Sequence, residues 1–267
     1  MISITTDELN TLLATFIWPL SRILALIATA PILGNPSTPV RVKLGLAIMM
    51  TILVTPTVEE SLPDVDPASG LGLIVLLQQL LIGITIGFVM RIVFVAVEMA
   101  GELIGLQMGL GFAIFVDPQN SGQIDVIGRF LGVIASLAFL AMNGHLMMLA
   151  LISQSFSTLP VGVSGMNELT FQTLANWGQE IFKSGLQLSL PVITALLITN
   201  LALGILTRAA PQLNIFAVGF PLTLSIGLFV LALSMPFYAP ILERLVYDAL
   251  NLMMGIVNAT KLDMPEY

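Results

Sequence analysis

Apolar residues fall into six long runs joined by connections, of which the third, opening at Arg91 and reaching Arg129, is anomalously long. Leu71–Met90, Leu186–Thr207 and Gln212–Leu242 contain no charged residue. Leu9–Leu33 tolerates Pro19 and Arg22, Phe130–Ile152 tolerates His145, and Val42–Val58 is shorter and starts beside Arg41 and Lys43. A hydrocarbon core of about 30 Å needs roughly 20 helical residues to cross it. The pattern therefore predicts an all-α, multi-span integral membrane protein with six spans and little chain left for a separate soluble domain.

One segment breaks this pattern. Gly105-Leu-Gln-Met-Gly-Leu-Gly-Phe-Ala-Ile-Phe-Val-Asp-Pro118 is apolar enough for membrane depth but badly built for a helix. Gly105, Gly109 and Gly111 each cost about 1 kcal/mol relative to Ala in a helix interior. The Asp117-Pro118 step favours a turn or extended backbone. Irregular backbone at that depth survives only where protein buries it or where it lines a water-filled cavity. The segment is a candidate pore or gate element, and the residues alone leave open a loop tucked into the chain's own core. The preceding run, Ile92–Met108, is compatible with a helix, and Gly101, Gly105 and Gly109 recur along one face of it. Gly83 and Gly87 repeat that spacing, which lets two helices approach closely.

Composition agrees with the membrane reading. The chain is 57% apolar and 9% charged, against roughly 25% charged in a soluble domain. It has no cysteine and one histidine, so disulfides, thiolate sites and multi-histidine metal sites are excluded. The net charge of −7 speaks against nucleic-acid binding. The first residues lack a basic n-region, so the first span is expected to remain in the mature protein. Basic residues near span ends (Arg41, Lys43, Arg91, Arg129, Arg208) alternate with acidic or uncharged connections, which places odd connections inside. Ser153–Gly178 is rich in Ser, Thr and Gly and reads as an exposed connection with a short helix near Leu169–Gln179.

Ionisable groups near membrane depth are costly and usually face protein, a partner or water. Here they are Arg22, Arg91, Glu98 and Glu102, candidates for ion pairs within the membrane or between subunits. Glu98 and Glu102 share a helical face, so a self-contained secondary transporter using them is a rival reading. Ser164 in Gly162-Val-Ser-Gly165 has the look of an intramembrane protease nucleophile, but the lone His145 precedes it, and a Ser–His pair must meet within hydrogen-bond reach. No nucleotide, dinucleotide or metalloprotease fingerprint occurs, so no cofactor and no enzymatic activity are expected. The 14 methionines suit a surface that conforms to irregular shapes, although core filling is the default explanation.

Four blocks carry a family resemblance: Phe16-Ile-Trp-Pro-Leu-Ser-Arg-Ile23, Ala30-Pro-Ile-Leu-Gly34, Gly105–Pro118, and Ala210-Pro-Gln-Leu-Asn-Ile-Phe216 with Gly219-Phe-Pro221. With these, the chain from about Leu9 to Asn258 resembles the FliR family, subunits of the flagellar type III export gate, which has an injectisome counterpart in SctT. The resemblance implies a FliP-like part over residues 1–183, including a gate loop at 105–122, and a FliQ-like helical hairpin with a tail over 184–267. It implies assembly with FliP-like, FliQ-like and FlhB-like subunits in the bacterial inner membrane at the flagellar basal body, with exported flagellar proteins as cargo. In such an assembly, apolar helices are buried against other subunits as well as lipid. The family's glycine-rich loop plugs the pore. By that likeness Gly109, Leu110, Gly111, Phe112, Ala113, Ile114 and Phe115 are plug residues.

Overall fold

The computed structural model describes residues 6–58, 62–63, 65–111, 126–162, 166–212 and 214–262. Its elements are α1 (Thr6–Thr29), α2 (Val40–Val58), α3 (Gly70–Gln107), α4 (Val126–Ala141), α5 (Gly144–Thr158), α6 (Glu168–Trp177), α7 (Gln179–Ala209) and α8 (Ile215–Leu262). No strand occurs among the described residues. Three helix starts carry side-chain caps of the expected type. Ser69 accepts from Gly72 N, Asn167 from Thr170 N, and Asn214 from Ala217 N.

The helices do not coincide with the six apolar runs. Four of them are long and apolar enough to cross a membrane among the described residues, or five if the bent pair α4 and α5 forms one span. That pair corrects the reading of Phe130–Ile152 as a straight span. It bends by 64° at Asn143, which adopts the left-handed conformation with φ 56°. Asn tolerates that region better than most residues with a Cβ. The first run lies largely within α1, whose 24 residues include Pro19 and Arg22. A second correction concerns Arg91: it does not open a connection but sits exposed inside α3, which runs 38 residues without a break. At 1.5 Å per residue such a helix is about 57 Å long, nearly twice a hydrocarbon core. A third concerns Ser153–Gly178. Its start continues α5, and Ser155, Phe156, Leu159 and Val161 are buried. The short helix expected near Leu169–Gln179 is present as α6.

The described chain forms two compact units. One comprises residues 1–91, 143–178 and 246–267, the other 92–142 and 179–245. In the first, α1 packs on α2, and α2 on α5. Gly83 and Gly87 place the backbone of α3 directly against α1: a side chain at Gly83 would collide with the Arg22 carbonyl, and one at Gly87 with the Thr29 hydroxyl. Trp177 Nε1 donates to the Val89 carbonyl at 3.0 Å, fastening α6 to the same helix.

In the second unit, glycines again mark the approaches to α3. A side chain at Gly101 would collide with the backbone of Gly128 on α4. Gly185 of α7 comes against Ala96 and Met99, and Gly227 of α8 against Met108. Phe94 and Phe139 meet edge to face with centroids 5.5 Å apart. Arg244 Nη2 of α8 donates to Gln187 Oε1 of α7 at 3.5 Å. Burial separates α3 from the other spans. Its most apolar stretch is 67% buried within the chain, against 17% for Val40–Val58, 22% for Glu168–Ala209 and 28% for Ala217–Asn258.

Candidate functional site

Helix α3 delivers the chain to the glycine-rich segment, and its end is built from the first residues of that segment. Gly105 remains helical and buried. Leu110 N donates to the Gly105 carbonyl at 3.0 Å, and Gly109 N to the Leu106 carbonyl at 3.0 Å. Gly109 has φ 90°. These two bonds around a left-handed glycine form a Schellman motif, which satisfies carbonyls that the last turn would leave unpaired. Its usual apolar contact is present too: the Leu110 side chain folds back over Gly105. The segment thus contains one buried helical glycine and one stop glycine, where the sequence showed three helix-weakening residues. Gly109, Leu110 and Gly111 are half-buried. Phe112, Ala113, Ile114 and Phe115 lie outside the described residues.

The root of this turn is held from α8. Met108 is fully buried. Its carbonyl accepts a hydrogen bond from Thr223 Oγ1 at 3.0 Å, and its side chain lies over Gly227.

The ionisable residues divide into two kinds. Arg22 is completely buried. Its Nε donates to Gln79 Oε1 at 2.7 Å, and Nη1 donates to the Ser155 carbonyl and hydroxyl, both at 3.0 Å. Nη2 donates to the Leu159 carbonyl at 2.9 Å, and the guanidinium lies 4.2 Å from the Phe156 ring centroid. The sequence suggested an ion pair at Arg22, and the fold surrounds it with neutral acceptors instead. A cation at the C-terminal end of α5 also meets the negative end of that helix dipole. The partners Gln79, Ser155 and Leu159 were not singled out in the sequence, since nothing local links positions this far apart. Arg91, Glu98 and Glu102 are exposed along α3, with the Glu98 side chain lying close to Gly132 of α4. Ser164 lies outside the described residues, and His145 is half-buried on α5.

Comparison with known proteins bears on this architecture. Residues 13–249 match the family model of bacterial export proteins, family 1. The flagellar biosynthetic protein FliR of Escherichia coli is 47% identical over 258 residues, covering 97% of this chain and 98% of that protein. The chain belongs to the FliR family. FliR of Pectobacterium carotovorum is 46% identical over 242 residues, covering 91% of this chain and 92% of the relative. FliR of Bacillus subtilis is 30% identical over 227 residues, covering 84% and 87%. With its long apolar helices, this FliR-family chain is a membrane protein of the flagellar apparatus. It works in export, in a non-enzymatic family.

Proposed function

We propose that this chain forms part of the wall and the closure of the flagellar protein-export gate in the bacterial inner membrane. The observation that carries the proposal is the burial of α3 beside spans that are mostly uncovered. A helix sheathed by its own chain ends in a glycine stop, and the polypeptide then enters the glycine-rich segment. Gly109 through Phe115 act as the plug, with Leu110, Phe112, Ile114 and Phe115 supplying bulk. The uncovered apolar faces of α2, α7 and α8 meet lipid, FliP-like subunits and FliQ-like subunits, with an FlhB-like subunit as a further partner. Residues 1–183 serve as the FliP-like part and 184–267 as the FliQ-like hairpin. Arg91 and Glu102, exposed on α3, form ion pairs with neighbouring subunits, while Arg22 stabilises the chain internally. The cargo is unfolded or partly folded flagellar protein, and the driving energy comes from elsewhere in the machine.

The test is deletion of Leu110–Ile114 in the co-expressed gate complex. The expected result is a complex of unchanged subunit composition that leaks ions or small solutes. Background leakage from an intact complex refutes the plug.

A further inference from the structure

The glycine-rich segment leaves α3 at a point that α8 grips in two ways. Thr223 is buried, and its hydroxyl shares its one proton between the Met108 carbonyl, 115 positions away, at 3.0 Å and the Phe220 carbonyl of its own helix at 3.1 Å. One turn further along α8, Gly227 accepts the Met108 side chain at very close range. A Cβ added to Gly227 would lie 2.5 Å from Met108 Cε and 2.7 Å from Cγ. Every other residue type would therefore push Met108 away. Gly227 and Thr223 are four apart and share a face of α8.

Immediately after Met108 the constraint changes. Gly109 has φ 90°, a conformation that glycine enters without the cost a Cβ imposes. A residue held by a hydrogen bond and a fitted side chain is thus followed directly by the most permissive residue in the segment. We propose that Thr223 and Gly227 form a socket that fixes the root of the glycine-rich segment at Met108, so that any displacement of the segment begins at Gly109. They are positioning residues, acting on the segment through Met108. The inference rests on the plug reading, and it adds that the last helix sets where the plug is seated.

The chain has no cysteine, so a paired Met108→Cys, Gly227→Cys variant gives one defined cross-link, at a separation short enough for a disulfide. In the co-expressed complex, oxidation should leave the variant's export rate and ion leakage the same as in its own reduced form, because the root does not move. Export that stops on oxidation and returns with reductant overturns a fixed root. Gly227→Leu with Thr223→Val should displace Met108 and raise leakage several-fold while subunit composition stays unchanged. Adding Met108→Ala to Gly227→Leu makes room and should bring leakage back toward wild type. Background leakage from the intact Gly227→Leu, Thr223→Val complex overturns the socket. The Leu110–Ile114 deletion separates the two ideas. If it leaks and the socket variants do not, the socket alone fails; if it does not leak, the plug itself fails.

Discussion

Arg22 shows how a single buried charge can organise a membrane helix. An isolated cation in an apolar interior is strongly disfavoured, and the cost falls when its donors are all met. Arg22 meets acceptors on α3, on α5 and at Leu159 just beyond α5 with its three side-chain nitrogens. Replacing it with Met removes the donors and orphans the buried amide oxygen of Gln79, each charged hydrogen bond being worth about 1.5–3 kcal/mol. We expect Arg22→Met to destabilise the protein by about 3 kcal/mol or more, read as a lower melting temperature in detergent and reduced recovery of assembled complex. Wild-type melting would refute a structural role. Gly109 is the second informative residue. Ala there must adopt the left-handed region at a cost of about 1–2 kcal/mol. Gly109→Ala is therefore expected to fray the end of α3, seen as faster amide exchange at Leu110 with little change at Gly101. Equal exchange in both variants would contradict the stop role.

At the scale of elements, α3 is approached by helices whose backbones come close because glycines stand at the contacts. Gly83 and Gly87 meet α1, Gly101 meets α4, Gly185 of α7 meets Ala96 and Met99, and Gly227 of α8 meets Met108. The four-residue spacing was visible in the sequence as one helix face, but the sequence named no partner for it. The outcome differs at each position. Gly105 has only ordinary contacts, whereas a side chain at Gly101 would strike the Gly128 backbone. Backbone cannot yield as a flexible side chain can. Gly101→Leu should therefore separate α3 from α4 and cost well over 1 kcal/mol, whereas Gly45→Leu, with open space around it, should be tolerated. Comparable yields of folded protein for the two variants would contradict this. The break between α4 and α5 was not legible either, because Asn143-Gly144 lies inside an apolar run and apolar runs report burial rather than straightness.

For the whole molecule, uncovered apolar surface is the dominant fact. Leu197, Ile198, Leu201 and Ile205 on α7, and Phe229, Leu233 and Phe237 on α8, are all exposed. A helix apolar on every side belongs in lipid or against other apolar chains, and patches this large on a soluble monomer would aggregate. The chain expressed alone is expected to be polydisperse in detergent, and to become monodisperse when co-expressed with FliP-like and FliQ-like subunits. A stable, monodisperse protein that binds a small substrate by itself would favour the transporter reading over the gate.

The sequence by itself determined the class of molecule: low charge and long apolar runs admit little besides membrane helices, and the four motif blocks carried the family. It also marked the neighbourhood in which α3 stops, at Gly109, because backbone propensity is a local property. Tertiary structure decided what those local properties are used for. It turned one glycine into a helix stop and others into contact points, joined two apolar stretches into a single α3, and gave Arg22 its neutral acceptors. It also brought Thr223 and Gly227 to Met108. These outcomes depend on which surfaces meet across more than a hundred residues of chain, and hydropathy, which scores each residue against solvent, holds no information about the partner.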